Sequence, residues 1–96
     1  YDVKVSVWES TDKGDTWAKI SEIPRSKEMP REMLIIENHL VEASPGHLVV
    51  MFRSEACEWD DMFHYQSHSH DSGRTWTAPE KVPVWGGPPH LLLLNS

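Results

Sequence analysis

The chain has 96 residues, 39% of them hydrophobic, and a formal net charge of −6 with its histidines neutral. That size and balance suit one small globular unit and exclude the basic face on which nucleic acid or an anionic membrane would settle. A single cysteine, Cys57, rules out a disulfide within the segment, and with no base paired to it in the sequence it reads as an inert thiol.

In chain order, Val3, Val5 and Val7 alternate with polar neighbours and predict a half-buried strand. The strand runs into Ser10-Thr11-Asp12-Lys13-Gly14-Asp15-Thr16-Trp17, and the same S-x-D-x-G-x-T-W wording returns at Ser69-His70-Asp71-Ser72-Gly73-Arg74-Thr75-Trp76. Such a segment predicts a turn between two strands. The Asp carboxylate and the Ser/Thr hydroxyls take up N–H groups left unpaired, Gly14 and Gly73 supply a positive φ, and Trp17 and Trp76 anchor the returning strand. The shift of 59 positions from Asp12 to Asp71 also carries Ile23-Pro24 onto Val82-Pro83. Asn38-His39-Leu40 matches Pro89-His90-Leu91 at a shift of 51, so the connection after Pro24 is longer by eight residues. A period of this length marks a repeat architecture. Further strands are predicted at residues 17–23, 33–42, 47–52, 62–69, 76–84 and from 90, with Pro45-Gly46 as a hairpin turn and inner strands buried on both sides. Residues 26–38 compete as helix, but Pro30 and Ile35-Ile36 limit that to one short turn.

The paired S-x-D-x-G-x-T-W segments resemble the Asp box, or bacterial neuraminidase repeat, of the sialidase-type β-propellers. The resemblance implies an all-β fold, here a fragment of a six-bladed propeller with antiparallel four-stranded blades. Residues 1–24 would be the second half of one blade, 33–84 one complete blade and 90–96 the first strand of the next. A closed ring needs at least about four blades, and no initiating Met is present, so the sequence is expected to be an internal fragment, in which a missing leader or membrane span carries no meaning. In that family the boxes lie on the face away from the active centre. Ser10, Asp12, Gly14, Thr16, Trp17, Ser69, Asp71, Gly73, Thr75 and Trp76 are therefore structural.

The opposite face would receive residues 24–33, 53–61 and 83–89, bringing Arg25, Arg31, Trp59, Asp60 and Asp61 toward a cavity, with His39 as a further lining residue. The stretch from Glu37 to Arg53 is similar to a sialidase hairpin that opens with a Glu and closes with an Arg. The resemblance implies that Glu37 polarises a catalytic Tyr and that Arg53 is one of three arginines clamping the substrate carboxylate. A carboxylate on the anomeric carbon would repel a carboxylate nucleophile, so a neutral Tyr activated by Glu serves instead, and the planar guanidinium fork matches the substrate carboxylate. The alternative is that Glu37 pairs locally with a cation at the sheet end and Arg53 is an ordinary strand-terminal charge. The acid Asp, the nucleophilic Tyr and the other arginines are unassigned. Ile23-Pro24-Arg25 is no substitute, since its Arg follows the proline, and Tyr65 reads as packing.

His64, His68 and His70 invite a metal, but His70 occupies a free box position and no carboxylate or Cys completes the set. Asp12 and Asp71 lack the ligand ladder of a calcium loop, and Gly86-Gly87-Pro88-Pro89 leads into no helix that would cradle phosphate. No metal or other cofactor is expected. The expected activity is an exo-α-sialidase, a glycoside hydrolase acting on sialylated glycans, inactive as the fragment alone; nucleic acid and a membrane span are not expected partners. The alternatives are a non-catalytic carbohydrate- or protein-binding propeller and a glycosidase of other specificity. The resemblance slightly favours a secreted or periplasmic location.

Overall fold

The computed structural model describes residues 4–27, 29, 34–55, 63–85, 91, 92 and 94. All regular structure among them is antiparallel β. Strand β1 (Val5–Glu9) pairs with β2 (Ala18–Ile23) as a two-stranded sheet, and β3 (Leu34–Ser44), β4 (His47–Glu55), β5 (Phe63–Ser69) and β6 (Glu80–Trp85) form a four-stranded meander in chain order. After β2 the Met29 N–H donates to the Ser26 carbonyl at 3.2 Å.

Strand alternation decides what lies where. Leu48, Val50 and Phe52 on β4 stand opposite Ser69, Ser67 and Tyr65 on β5, so these six residues share one face of the larger sheet. That face meets the two-stranded sheet: Ile23, Met29, Val50, Phe52 and Tyr65 make the buried core, with Val5, Val7, Ile35 and Trp76 packed against it. Phe52 and Tyr65 form a cross-strand stacked pair with ring centroids 6.2 Å apart. Ser67 and Ser69 are buried beneath this layer because their hydroxyls have partners, the Thr77 carbonyl at 2.6 Å and Asp71 Oδ1 at 2.8 Å. By the same alternation His39, His47, His64 and His68 fall on the opposite face.

Two expectations about strands need correction. Burial on both sides holds poorly for β3, which lies at the sheet edge and leaves Leu40 51% exposed, because among the described residues no strand pairs its outer edge. No strand forms at Leu91, Leu92 or Leu94; the Leu91 N–H bonds a side chain, His39 Nδ1 at 2.7 Å, in place of a ladder carbonyl, and Leu92 and Leu94 are exposed.

Candidate functional site

The sheet has two ends with different chemistry. At one end lie the β3–β4 turn and the second box; at the other lie the start of β3, the end of β4 and the start of β5.

The box end is built from local hydrogen bonds. In the first box Ser10 Oγ donates to Asp12 Oδ1 at 2.8 Å and accepts the Gly14 N–H at 2.7 Å. Asp12 accepts the Thr16 N–H at 2.8 Å and the Thr16 hydroxyl at 2.5 Å, and the Trp17 indole N–H donates to the Gly14 carbonyl at 3.1 Å. The second box repeats this, with Asp71 also accepting the Arg74 N–H at 3.0 Å. Hydrogen bonds from the Thr hydroxyl, the Thr amide and the Ser hydroxyl hold both Asp carboxyls down at about 2. Each turn needs two consecutive left-handed residues, Lys13 (φ 59) with Gly14 (φ 94), and Ser72 (φ 59) with Gly73 (φ 91). A carboxylate so fully committed to backbone and hydroxyl donors fixes a turn and is a poor base.

The far end holds Glu37 and Arg53. Between Ile36↔Arg53 and Asn38↔Phe52 the ladder skips Glu37, which is the extra residue of a β-bulge and sits at φ 55. Left-handed backbone at a non-glycine strand residue costs on the order of 1 kcal/mol or more and persists only where the surroundings hold it. Here the bulge turns Glu37 out of the strand alternation and onto Arg53, whose Nε donates to Glu37 Oε2. The Arg53 side chain is only 15% exposed, whereas that of Glu37 is 39% exposed. Cross-strand, Arg53 faces the buried His64 of β5. Tyr65, the one tyrosine among the described residues, lies on the opposite face, stacked on Phe52.

Of the other candidates, Arg25 lines an open cleft with Lys4, Glu22 and Pro24 that Glu37 and Arg53 do not share. Half-buried His39, two residues beyond the bulge, tethers Leu91. Arg31, Trp59, Asp60 and Asp61 lie outside the described residues. Sequence reasoning missed His47, which contacts His68 and His70 across the sheet; its signal was its place beside the Pro45-Gly46 turn, at the same sheet end as the box. It also missed Ser21, whose hydroxyl accepts the Trp76 indole N–H at 3.0 Å and donates to the Gly73 carbonyl. Among the described residues no group of three or more His, Cys, Asp or Glu side chains is arranged to hold a metal, and no helix is long and apolar enough to cross a membrane. Comparison with family models, with curated proteins and with solved structures finds no match to this chain.

Proposed function

We propose that this chain is part of a six-bladed sialidase-type β-propeller and contributes Glu37 and Arg53 to the site of an exo-α-sialidase, a glycoside hydrolase removing terminal sialic acid. The observation that carries the reading is the pairing of a strained, bulged Glu37 with a mostly buried Arg53 at the sheet end opposite the boxes. Backbone strain beside a mostly buried arginine is an arrangement that functional sites use for preorganisation. Glu37 meets Arg53 through Nε, and the Nη1–Nη2 edge of a guanidinium has the fork geometry that grips a second carboxylate. In this reading the nucleophilic Tyr, the acid Asp and two further arginines come from other blades, and the substrate carboxylate takes the Nη1–Nη2 edge while Glu37 keeps Nε with one oxygen and offers the other to the Tyr hydroxyl.

The ion pair favours one other reading. A Glu37 held on Arg53 is engaged and not turned to another group, and a propeller that binds sialylated or other glycans without cleaving them would need no base. Release of the chromophore from a chromogenic sialoside by the full-length protein, set beside neutral glycosides, separates the cases. Cleavage of the sialoside supports the sialidase. Binding of sialoside without release selects the binding propeller, and cleavage of neutral glycosides alone selects a different glycosidase.

A further inference from the structure

The box end carries a side-chain cluster that the proposed site does not use. His47 opens β4, His68 lies near the end of β5 and His70 stands in the second box turn. His47 Nε2 and His68 Nδ1 are 3.0 Å apart, and His68 Nε2 meets the Gln66 side-chain amide at 2.9 Å. The His47 and His70 rings stack with centroids 4.4 Å apart and planes at 21°, and His68 and His70 are 6.2 Å apart at 6°. The His47 and His70 rings stack face to face, and among the described residues no three such side chains are arranged to hold a metal.

It is suited to counting protons. The His47–His68 contact needs one N–H and one lone pair, which a neutral pair supplies. One added proton is tolerated, because a doubly protonated His68 can still donate to His47 and, after rotation of the amide, to the Gln66 oxygen. A second proton on His47 sets N–H against N–H at 3.0 Å and places a cation on the His70 ring, where a further proton would face like charge at 4.4 Å. Burial, then His70 and His68, hold the His47 pKa below the ordinary histidine value.

The cluster also has something to hold. The Ser72 N–H of the box turn donates to the Gly46 carbonyl of the β3–β4 turn at 3.0 Å, and both residues are left-handed, at φ 59 and φ 80. The surrounding charges are otherwise engaged. Glu42 on β3 accepts the Gly46 N–H at 3.4 Å, Asp71 is taken by its own box, Arg74 pairs with Glu9 of β1 at 3.2 Å, and Glu80 on β6 stands across from Gln66. We propose that His47, His68 and His70 form a proton-operated latch that clamps the β3–β4 turn to the second box turn at neutral pH and releases it in mild acid.

The sign follows from proton counts. Closed, His47 resists a second ring proton, which would set N–H against the N–H of His68; open, it accepts one freely, so closure weakens as pH falls through the histidine range, while the Asp71 network persists toward about 2. With an ordinary histidine value for His47 in the open form, the closing constant falls by up to about 10-fold between about pH 7.5 and about pH 5.5. The test is amide hydrogen exchange in the intact protein, corrected for intrinsic rates, with histidine ring protons followed by NMR. Ser72 should lose protection by up to about 10-fold across that interval, while Thr75, held by Asp71, keeps its own. In His47→Gln, which keeps a hydrogen-bonding group beside His68, the change should disappear, and in His70→Gln, which removes the ring stacked on His47, it should shrink. If His47→Gln fails to fold, seen as loss of Thr75 protection at neutral pH, His70→Gln decides. Flat Ser72 protection, a His47 ring that titrates at the ordinary value, or variants that keep the wild-type pH dependence would each overturn the latch.

Discussion

Ser10 to Trp17 and Ser69 to Trp76 make the same shared hydrogen bonds to within 0.1 Å, yet Trp17 is 60% exposed while Trp76 packs on the core and reaches Ser21. Gly14 is exposed, whereas Gly73 is buried under Ile20 and Leu48. The difference separates two properties of a repeat. Bonds among residues two to four apart are written into the motif and recur in both copies. The stability those bonds contribute depends on what docks against the turn, and among the described residues only the second box has a neighbouring sheet to receive it.

The sharpest way to break this comparison is to truncate both tryptophans. Trp76→Ala should destabilise by about 3 kcal/mol through lost packing, and Trp17→Ala by less than about 1 kcal/mol, as read from denaturant midpoints of the full-length protein. Equal losses would mean that the box, and not its docking, carries the energy. A Cβ at Gly73 would stand 3.4 Å from Ile20 Cδ1 and from Leu48 Cδ1 at a φ of 91, while at Gly14 the nearest atom is Trp17 Cζ2 at 3.9 Å. Gly73→Ala should therefore cost about 2 kcal/mol, the conformational cost plus crowding, and Gly14→Ala about 1 kcal/mol, the conformational cost alone. Smaller still, Ser21→Ala should cost about 1 kcal/mol by removing the bonds it makes with Trp76 and Gly73, and thermal melting should show that loss vanishing in a Trp76→Phe background.

Acid treats the two boxes alike and so sharpens the comparison from the other side. Each Asp carboxyl is lowered when folded, so its contribution is present above the ordinary carboxylate value and is lost as pH falls toward about 2. NMR titration should show Asp12 and Asp71 protonating together in spite of their different surroundings. Protonation of Asp12 well before Asp71 would mean that docking, not the local donor set, sets the carboxyl.

The strand order, the hairpin and the box turns were readable in the residues, because alternation at Val5 and Val7, the Pro45-Gly46 break and the S-x-D-x-G-x-T-W spacing are local signals. Lys13 and Ser72 at positive φ were not, since nothing in a lysine or serine announces left-handed backbone. The bulge at Glu37 was equally silent: a one-residue skip depends on how β3 registers with β4, and that register joins Ile36 to Arg53 and Asn38 to Phe52, residues distant in the chain. The His47 contacts arise only once β4 and β5 are side by side. Glu37 and Arg53 stood out through the resemblance of their hairpin, with a local charge pair as the alternative, and their direct contact with each other was not legible in the sequence.

Whether Arg53 grips a substrate carboxylate is tested most directly by kcat/KM on a chromogenic sialoside in the full-length protein, comparing Arg53→Lys, Arg53→Ala and Glu37→Gln with wild type and recording melting temperatures alongside. If the guanidinium fork is the clamp, Arg53→Lys should be almost as damaging as Arg53→Ala, with losses of about 2–5 kcal/mol, roughly 30-fold to several thousand-fold. Glu37→Gln should chiefly lower kcat, because it removes the base and leaves the fork in place. Near-normal kcat/KM in Arg53→Ala would contradict the assignment and leave Glu37–Arg53 as a structural ion pair at a sheet end.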